Sequence, residues 1–103
     1  MTEINDTDID GAQEALDHVG ISGIDRRILA TVLHNNPSIV GDGYSWGWTD
    51  TVVREEVAEA VTCLLLGISV SEYESRVRRD ESGLVAELMA AHARWVAANP
   101  AGA

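Results

Sequence analysis

The stretch TVVREEVAEAVTCLLLGISVSEYESRVRR, residues 51–79, decides the fold. In its first part Val53, Val57, Ala60, Val61, Leu64 and Leu65 recur at spacings of three and four. That period gives a helix one apolar side and predicts a helix over Thr51 to Leu66. Glu55 and Glu56 fall in its early turns, where the helix dipole favours negative charge. Gly67 ends it. Ser69 with Glu72, or Ser71 with Glu74, then forms a capping box for a helix from about Val70 to Arg79.

Working outward, Leu84, Leu88 and Trp95, beside Val85, Met89 and Val96, mark a last helix from about Gly83 to Ala98, stopped by Asn99-Pro100. Toward the N-terminus a helix over Gly23 to His34 follows Ser22 and Asp25, and Ile24, Ile28 and Val32 form one apolar row beside Leu29 and Leu33. Asn35-Asn36-Pro37 ends it. A helix over Gly11 to Val19 is capped by Asp10, with Gln13 three residues on and Gly20 after its end. Between Asn36 and Thr49 the glycines predict a loop, with a turn at Gly41-Asp42-Gly43. Tyr44, Trp46 and Trp48 alternate with Ser45 and Gly47, so an extended backbone here puts all three rings on one face. The expected architecture is all-α: four to five helices, a helix-turn-helix-like corner and an aromatic loop. One helical domain, residues 11–98, lies between an acidic flexible N-terminus, residues 1–10, and a short tail, residues 99–103.

Composition narrows the functional classes. The chain has 103 residues, 46% of them hydrophobic and 23% charged, a globular balance. With two tyrosines, three tryptophans and no Phe, the core falls to Leu, Val, Ile and Ala. No apolar run approaches the ~20 residues that span a bilayer. The polar, acidic N-terminus is unlike a secretion signal, so the expected location is cytoplasmic, with no membrane partner. The lone Cys63 excludes an intrachain disulfide and argues against cysteine-held zinc. Among Val61, Leu64, Leu65 and Leu66 it reads as a small buried hydrophobe. The net charge is -10. Residues 1–20 hold six acids and no base, and the rest hold eleven acids against seven arginines, with no lysine.

Residues 51–79 meet the demands of a helix-turn-helix. Cys63 is small enough for two helices to cross, and Gly67 is free to take a positive φ in the turn. Leu66, Ile68, Tyr73 and Val77 supply apolar contacts around it, while Ser71, Ser75, Arg76 and Arg79 project outward with Arg78 on the flank. Leu66-Gly67-Ile68-Ser69 followed by Ser75 to Arg79 resembles the recognition helix of sigma factor region 4 and of the AsnC/Lrp-type winged-helix regulators. Ile24-Asp25-Arg26-Arg27-Ile28-Leu29 is similar to the opening helix of the second group, and Arg76 to Arg79 with Glu81 and Gly83 to its later segment. The resemblance implies a small DNA-binding transcription regulator that reads double-stranded DNA with helix 70–79, as a dimer or larger homo-oligomer. Arg76 and Arg79 would contact phosphate or guanine, Ser71 and Ser75 base edges or phosphates, and Arg78 the backbone.

Other constellations carry other expectations. Asp6-Thr7-Asp8-Ile9-Asp10-Gly11 reads as an acidic, frayed terminus ending in a helix cap, so no metal is expected; the alternative is the opening of a calcium loop, with Asp6, Asp8 and Asp10 as early ligands and Asp17 at its twelfth position. Tyr44, Trp46 and Trp48, if exposed, form a protein-binding patch, because Trp and Tyr dominate interface hot spots. That makes the competing expectation a non-enzymatic structural or interaction module: an oligomeric or particle-associated subunit, or an acidic antagonist that imitates DNA charge. His18, His34 and His92 are scattered, and no Gly-rich phosphate loop or catalytic signature occurs. Neither an enzyme nor a cofactor is expected.

Overall fold

The computed structural model describes residues 4–100, which form an all-α fold. In chain order the helices are α1 (Asp6–Asp17), α2 (Arg26–Asn35), α3 (Pro37–Trp46), α4 (Thr51–Leu66) and α5 (Val70–Ala98). No strand occurs among the described residues. Close contacts divide the chain into two units, one ending at Val61 and the other beginning at Thr62, so the boundary falls inside α4.

In the first unit α1 starts at Asp6, earlier than the glycine at position 11 suggested. The cause is a reciprocal cap: the Asp8 amide donates to the Asn5 side chain at 3.0 Å, and the Asn5 amide donates to the Asp8 carboxylate at 3.1 Å. Residues 6–10 are therefore helix rather than a flexible acidic tail, and residues 1–3 lie outside the described part. The inner side of α1 is Ile9, Ala12, Ala15 and Leu16. It packs on α2, whose buried stripe is Ile28, Leu29, Val32 and Leu33. Gln13 clasps the connection between the two helices. Its amide donates to the Ile21 carbonyl at 3.1 Å and accepts from the Ile24 amide at 3.0 Å, satisfying backbone beside two buried isoleucines.

The expected loop after Asn36 is a helix, α3. Pro37 sits in its first turn, where the missing amide hydrogen costs nothing and the fixed φ suits the helix. Each glycine inside a helix costs about 1 kcal/mol relative to Ala, which is why Gly41 and Gly43 read as a turn. Packing outweighs that cost: Ile39 and Val40 are buried, and α3 packs on α2. The helical period also separates the aromatic rings, which an extended strand would have aligned. Tyr44 and Trp46, two residues apart on a helix, point to different sides. After Gly47 ends the helix at φ +94°, the half-buried Trp48 turns back onto α1 and α3. A Cβ built on Gly11 would lie 2.4 Å from its indole, and one on Gly43 2.5 Å. Tyr44 meets the same ring edge-on, with centroids 6.5 Å apart.

In the second unit Gly67, at φ +66°, ends α4; its amide donates to the Cys63 carbonyl at 2.9 Å. The Ser69 side chain then accepts from the Glu72 amide at 3.1 Å and starts α5. At Asp80 (φ -163°, ψ 82°) α5 leaves helical geometry, and the Asp80 carboxylate accepts from the Gly83 amide at 3.0 Å. Asp80 thus caps a new limb, residues 81–98, in which Leu84, Leu88, Ala91 and His92 are buried. Val96, expected to be buried, is exposed, and Trp95 is half-buried. Cys63 is half-buried rather than fully buried.

The glycines of α3 give a sharp prediction. Gly41 faces open space, so Gly41→Ala should stabilise by about 0.5–1 kcal/mol through helix propensity. Gly43→Ala must displace an indole, and overpacking of that kind costs about 1–3 kcal/mol, more than the propensity gain. Urea denaturation should shift the two midpoints in opposite directions. Equal shifts would mean that Trp48 does not fill the space over Gly43.

Candidate interaction site

The strongest candidate lies where α3 ends and α4 begins. Trp46 is 65% exposed, although Trp48 two residues later is seated against glycines. One turn before Trp46 on the same side of α3 is Asp42. Its carboxyl hydrogen-bonds the carboxyl of Glu56 on α4. Burial raises the Glu56 pKa above its ordinary value, and the Asp42 hydrogen bond and the charges of Asp42 and Glu59 add to the rise. The Glu56 Oε2 atom is buried without a hydrogen-bond partner. One turn earlier on α4 stands Val52, 49% exposed. Arg54 does not face Glu56, since residues two apart on a helix diverge, and its guanidinium donates to Thr51 Oγ1 at 3.3 Å. Among the described residues neither Asp42 nor Glu56 forms a salt bridge with a cation.

Tyr44 has a different role. Its hydroxyl donates to the carboxylate of Asp8, which is 1% exposed and also accepts from the Asn5 amide. That hydrogen bond, with desolvation and the Asp8 charge behind it, holds the phenol pKa above its ordinary value. Trp48 and the Tyr44 hydroxyl therefore join α3 to α1, while the Tyr44 ring, 61% exposed, and Trp46 both face solvent.

The residues expected to meet DNA are only partly assembled. Ser71, Arg78 and Arg79 are exposed and Ser75 is half-buried; at helical spacing these positions share one side of residues 70–79. The Arg79 Nε donates to the Ser75 carbonyl at 3.4 Å. Arg76 is half-buried and paired with Glu87 across the break at Asp80. The pairing raises the Arg76 pKa and lowers that of Glu87, each chiefly through their mutual hydrogen bond. Leu66, Ile68, Tyr73 and Val77, the apolar contacts of the corner, are half-buried.

The calcium-loop reading of Asp6, Asp8, Asp10 and Asp17 is corrected. All four lie on α1, where a helix cannot wrap the early positions around an ion. Each carboxylate has a protein partner instead. Asp6 and Asp10 receive Arg26 at 3.2 and 2.7 Å, Asp8 receives Asn5 and Tyr44, and Asp17 receives Gln13 at 2.9 Å. Among the described residues no group of three His, Cys, Asp or Glu side chains is placed to hold a metal, and no helix is long and apolar enough to cross a membrane. No protein family, curated protein or solved structure matches this chain.

The carboxyl pair makes stability depend on pH. A folded-state pKa above the ordinary 4.5 means that the contribution of Glu56 is full below about pH 4.5 and is lost as pH rises through the raised value. Above the raised value its ionised form opposes folding. Glu56→Gln should raise the melting temperature at pH 7, and the gain should shrink as pH falls from the raised value toward the ordinary 4.5 and be absent below it. A gain independent of pH would contradict this origin.

Proposed function

We propose that this chain is a non-catalytic protein-interaction module that binds a partner through Trp46 at the end of α3. The exposure of that one ring carries the reading. Aromatic side chains bury up to about 250 Å². At 65% exposure, covering Trp46 would remove on the order of 150 Å² from water, about 4 kcal/mol by area. A Trp held outward by an anchored neighbour, with no flexible loop to order, keeps the entropic cost of binding low.

A second reading, a small helix-turn-helix regulator that binds DNA as a dimer, is favoured by a specific observation. The positive-φ turn at Gly67 is followed by a Ser69-capped helix with Ser71, Arg78 and Arg79 exposed on one side. DNA affinity, however, depends on cations meeting phosphates. Arg76 is engaged by Glu87, and residues 70–81 hold four acids against three arginines. Trp46 has no such competitor, which places protein binding first.

One experiment separates the two. The tagged chain and its Trp46→Ala and Arg78→Ala/Arg79→Ala variants are used to capture material from a lysate of the source cells, with and without nuclease. The first reading expects a defined protein that Trp46→Ala loses and that survives nuclease. Nucleic acid lost only with Arg78→Ala/Arg79→Ala would instead support the second reading.

A further inference from the structure

We propose that α5 straightens at Asp80 and exchanges its terminal limb, residues 81–98, with a second copy of this chain, giving a swapped dimer. The exchange involves α5 and does not depend on Trp46.

The apolar pattern of α5 runs straight through the break. Tyr73, Val77, Leu84, Leu88, Ala91 and Trp95 recur at steps of three, four or seven residues. On one unbroken helix all of them fall on one side. The turn at Asp80 and Glu81 is the one without an apolar member. The two limbs are therefore already in register for a single helix over residues 70–98.

What interrupts that helix is local. Asp80 takes an extended backbone (φ -163°, ψ 82°) that any residue can adopt, and its exposed carboxylate accepts from the Gly83 amide at 3.0 Å. The cap needs glycine, because a Cβ at position 83 would collide with the Asp80 carboxylate. Asp and Gly are both weak helix formers, so these two residues favour the break. Past it the limb turns back far enough for Arg76 to pair with Glu87. On a straight helix those two residues stand about 16 Å apart along the axis, beyond the reach of the pair.

Straightening alone would uncover Leu84, Leu88 and Ala91, which are at most 7% exposed. A second copy removes that loss. Each chain offers the other an identical limb for the seat its own limb has left, so the same side chains stay buried and Arg76 meets the other chain's Glu87. The two states then differ at the hinge: a cap at Asp80 in one, continuous helix in the other. Charge permits the exchange. Residues 62–103 hold five acids against four arginines, whereas residues 1–61 hold twelve against three. α5 thus lies in the nearly neutral part of the chain, where a second copy meets little like-charge repulsion.

Size-exclusion chromatography with light scattering, from micromolar to millimolar chain, reads the association, and circular dichroism reads whether each variant is folded. Asp80→Ala/Gly83→Ala removes the cap and supplies two better helix formers; it should strengthen dimerisation by ~10-fold or more over the native chain. Glu81→Pro should do the reverse and hold the chain monomeric, because proline suits the first turn of the limb but not the middle of a continuous helix. Glu87→Gln alters a contact that both states make and should change the ratio of dimer to monomer by less than ~2-fold. Trp46→Ala should not change it. Exchange itself is read by joining Arg76→Cys/Glu87→Cys, in a Cys63→Ser background, with a short bis-maleimide: the dimer should be linked between chains and the monomer within one. A dimer linked only within its chains would be a surface dimer and would overturn the exchange. So would a cap variant no more dimeric than the native chain, or a Glu81→Pro variant that dimerises as readily. Should one hinge variant fail to fold, the other and the linkage still decide.

Discussion

The indole of Trp48 fills the space that two missing side chains leave, one at Gly11 on α1 and one at Gly43 on α3. Each glycine lowers the intrinsic stability of its own helix by about 1 kcal/mol. The ring recovers more than that pair of penalties, since aromatic side chains bury about 150–250 Å² and apolar burial contributes about 25 cal/mol per Å². The same contact brings Tyr44 within reach of Asp8, whose two oxygens would otherwise be buried with the Asn5 amide alone. The close approach of α3 to α1 and the reach of Tyr44 to the capped start of α1 thus go with where one ring sits.

That position has a consequence on the opposite side of α3. With Trp48 and Tyr44 committed to α1, the helical period turns Trp46 to solvent and sets Asp42 one turn before it. Asp42 then meets Glu56, and two carboxyls share a place that neither would choose alone. A raised pKa is the physical expression of that conflict. Sites at which local preference is violated are expected to be functional more often than chance, and here the violation adjoins the most exposed tryptophan of the first unit.

The sequence is most legible where signals are local. Thr51–Leu66 has the same bounds in the pattern and in the structure, because an apolar stripe, early acids and a terminal glycine all agree. The interruption between Arg79 and Gly83 was equally readable, and Asp80 explains it, whereas the spacing left the cap open between Ser69 and Ser71 and the structure selects Ser69. α3 was not readable, because Pro37, Gly41 and Gly43 are turn residues by propensity, whereas the helix is held by the burial of Ile39 and Val40 and by Trp48, which packs on Gly43 from outside the helix. The start of α1 was hidden for a related reason: a run of aspartates reads as a solvated tail or an ion loop until Asn5 is seen to pair with Asp8.

For the site, residue type was informative and geometry was not. Tyr44, Trp46 and Trp48 stood out by composition, but a period of two placed them on one face, whereas the helix gives them separate tasks. Asp42 and Glu56 lie fourteen positions apart, and nothing local marks them as neighbours. The Arg76–Glu87 pair likewise spans a helix break that sequence spacing alone does not connect. The most direct test of the central claim is the accessibility of the three indole N–H groups to a soluble nitroxide, read by two-dimensional NMR with signals assigned by single Trp→Phe variants. The seating of Trp48 between Gly11 and Gly43 predicts strong attenuation of the Trp46 signal and marked protection of the Trp48 signal. Equal attenuation of the two would contradict it, because Trp48 would then be outside its glycine slot and nothing would hold Trp46 outward.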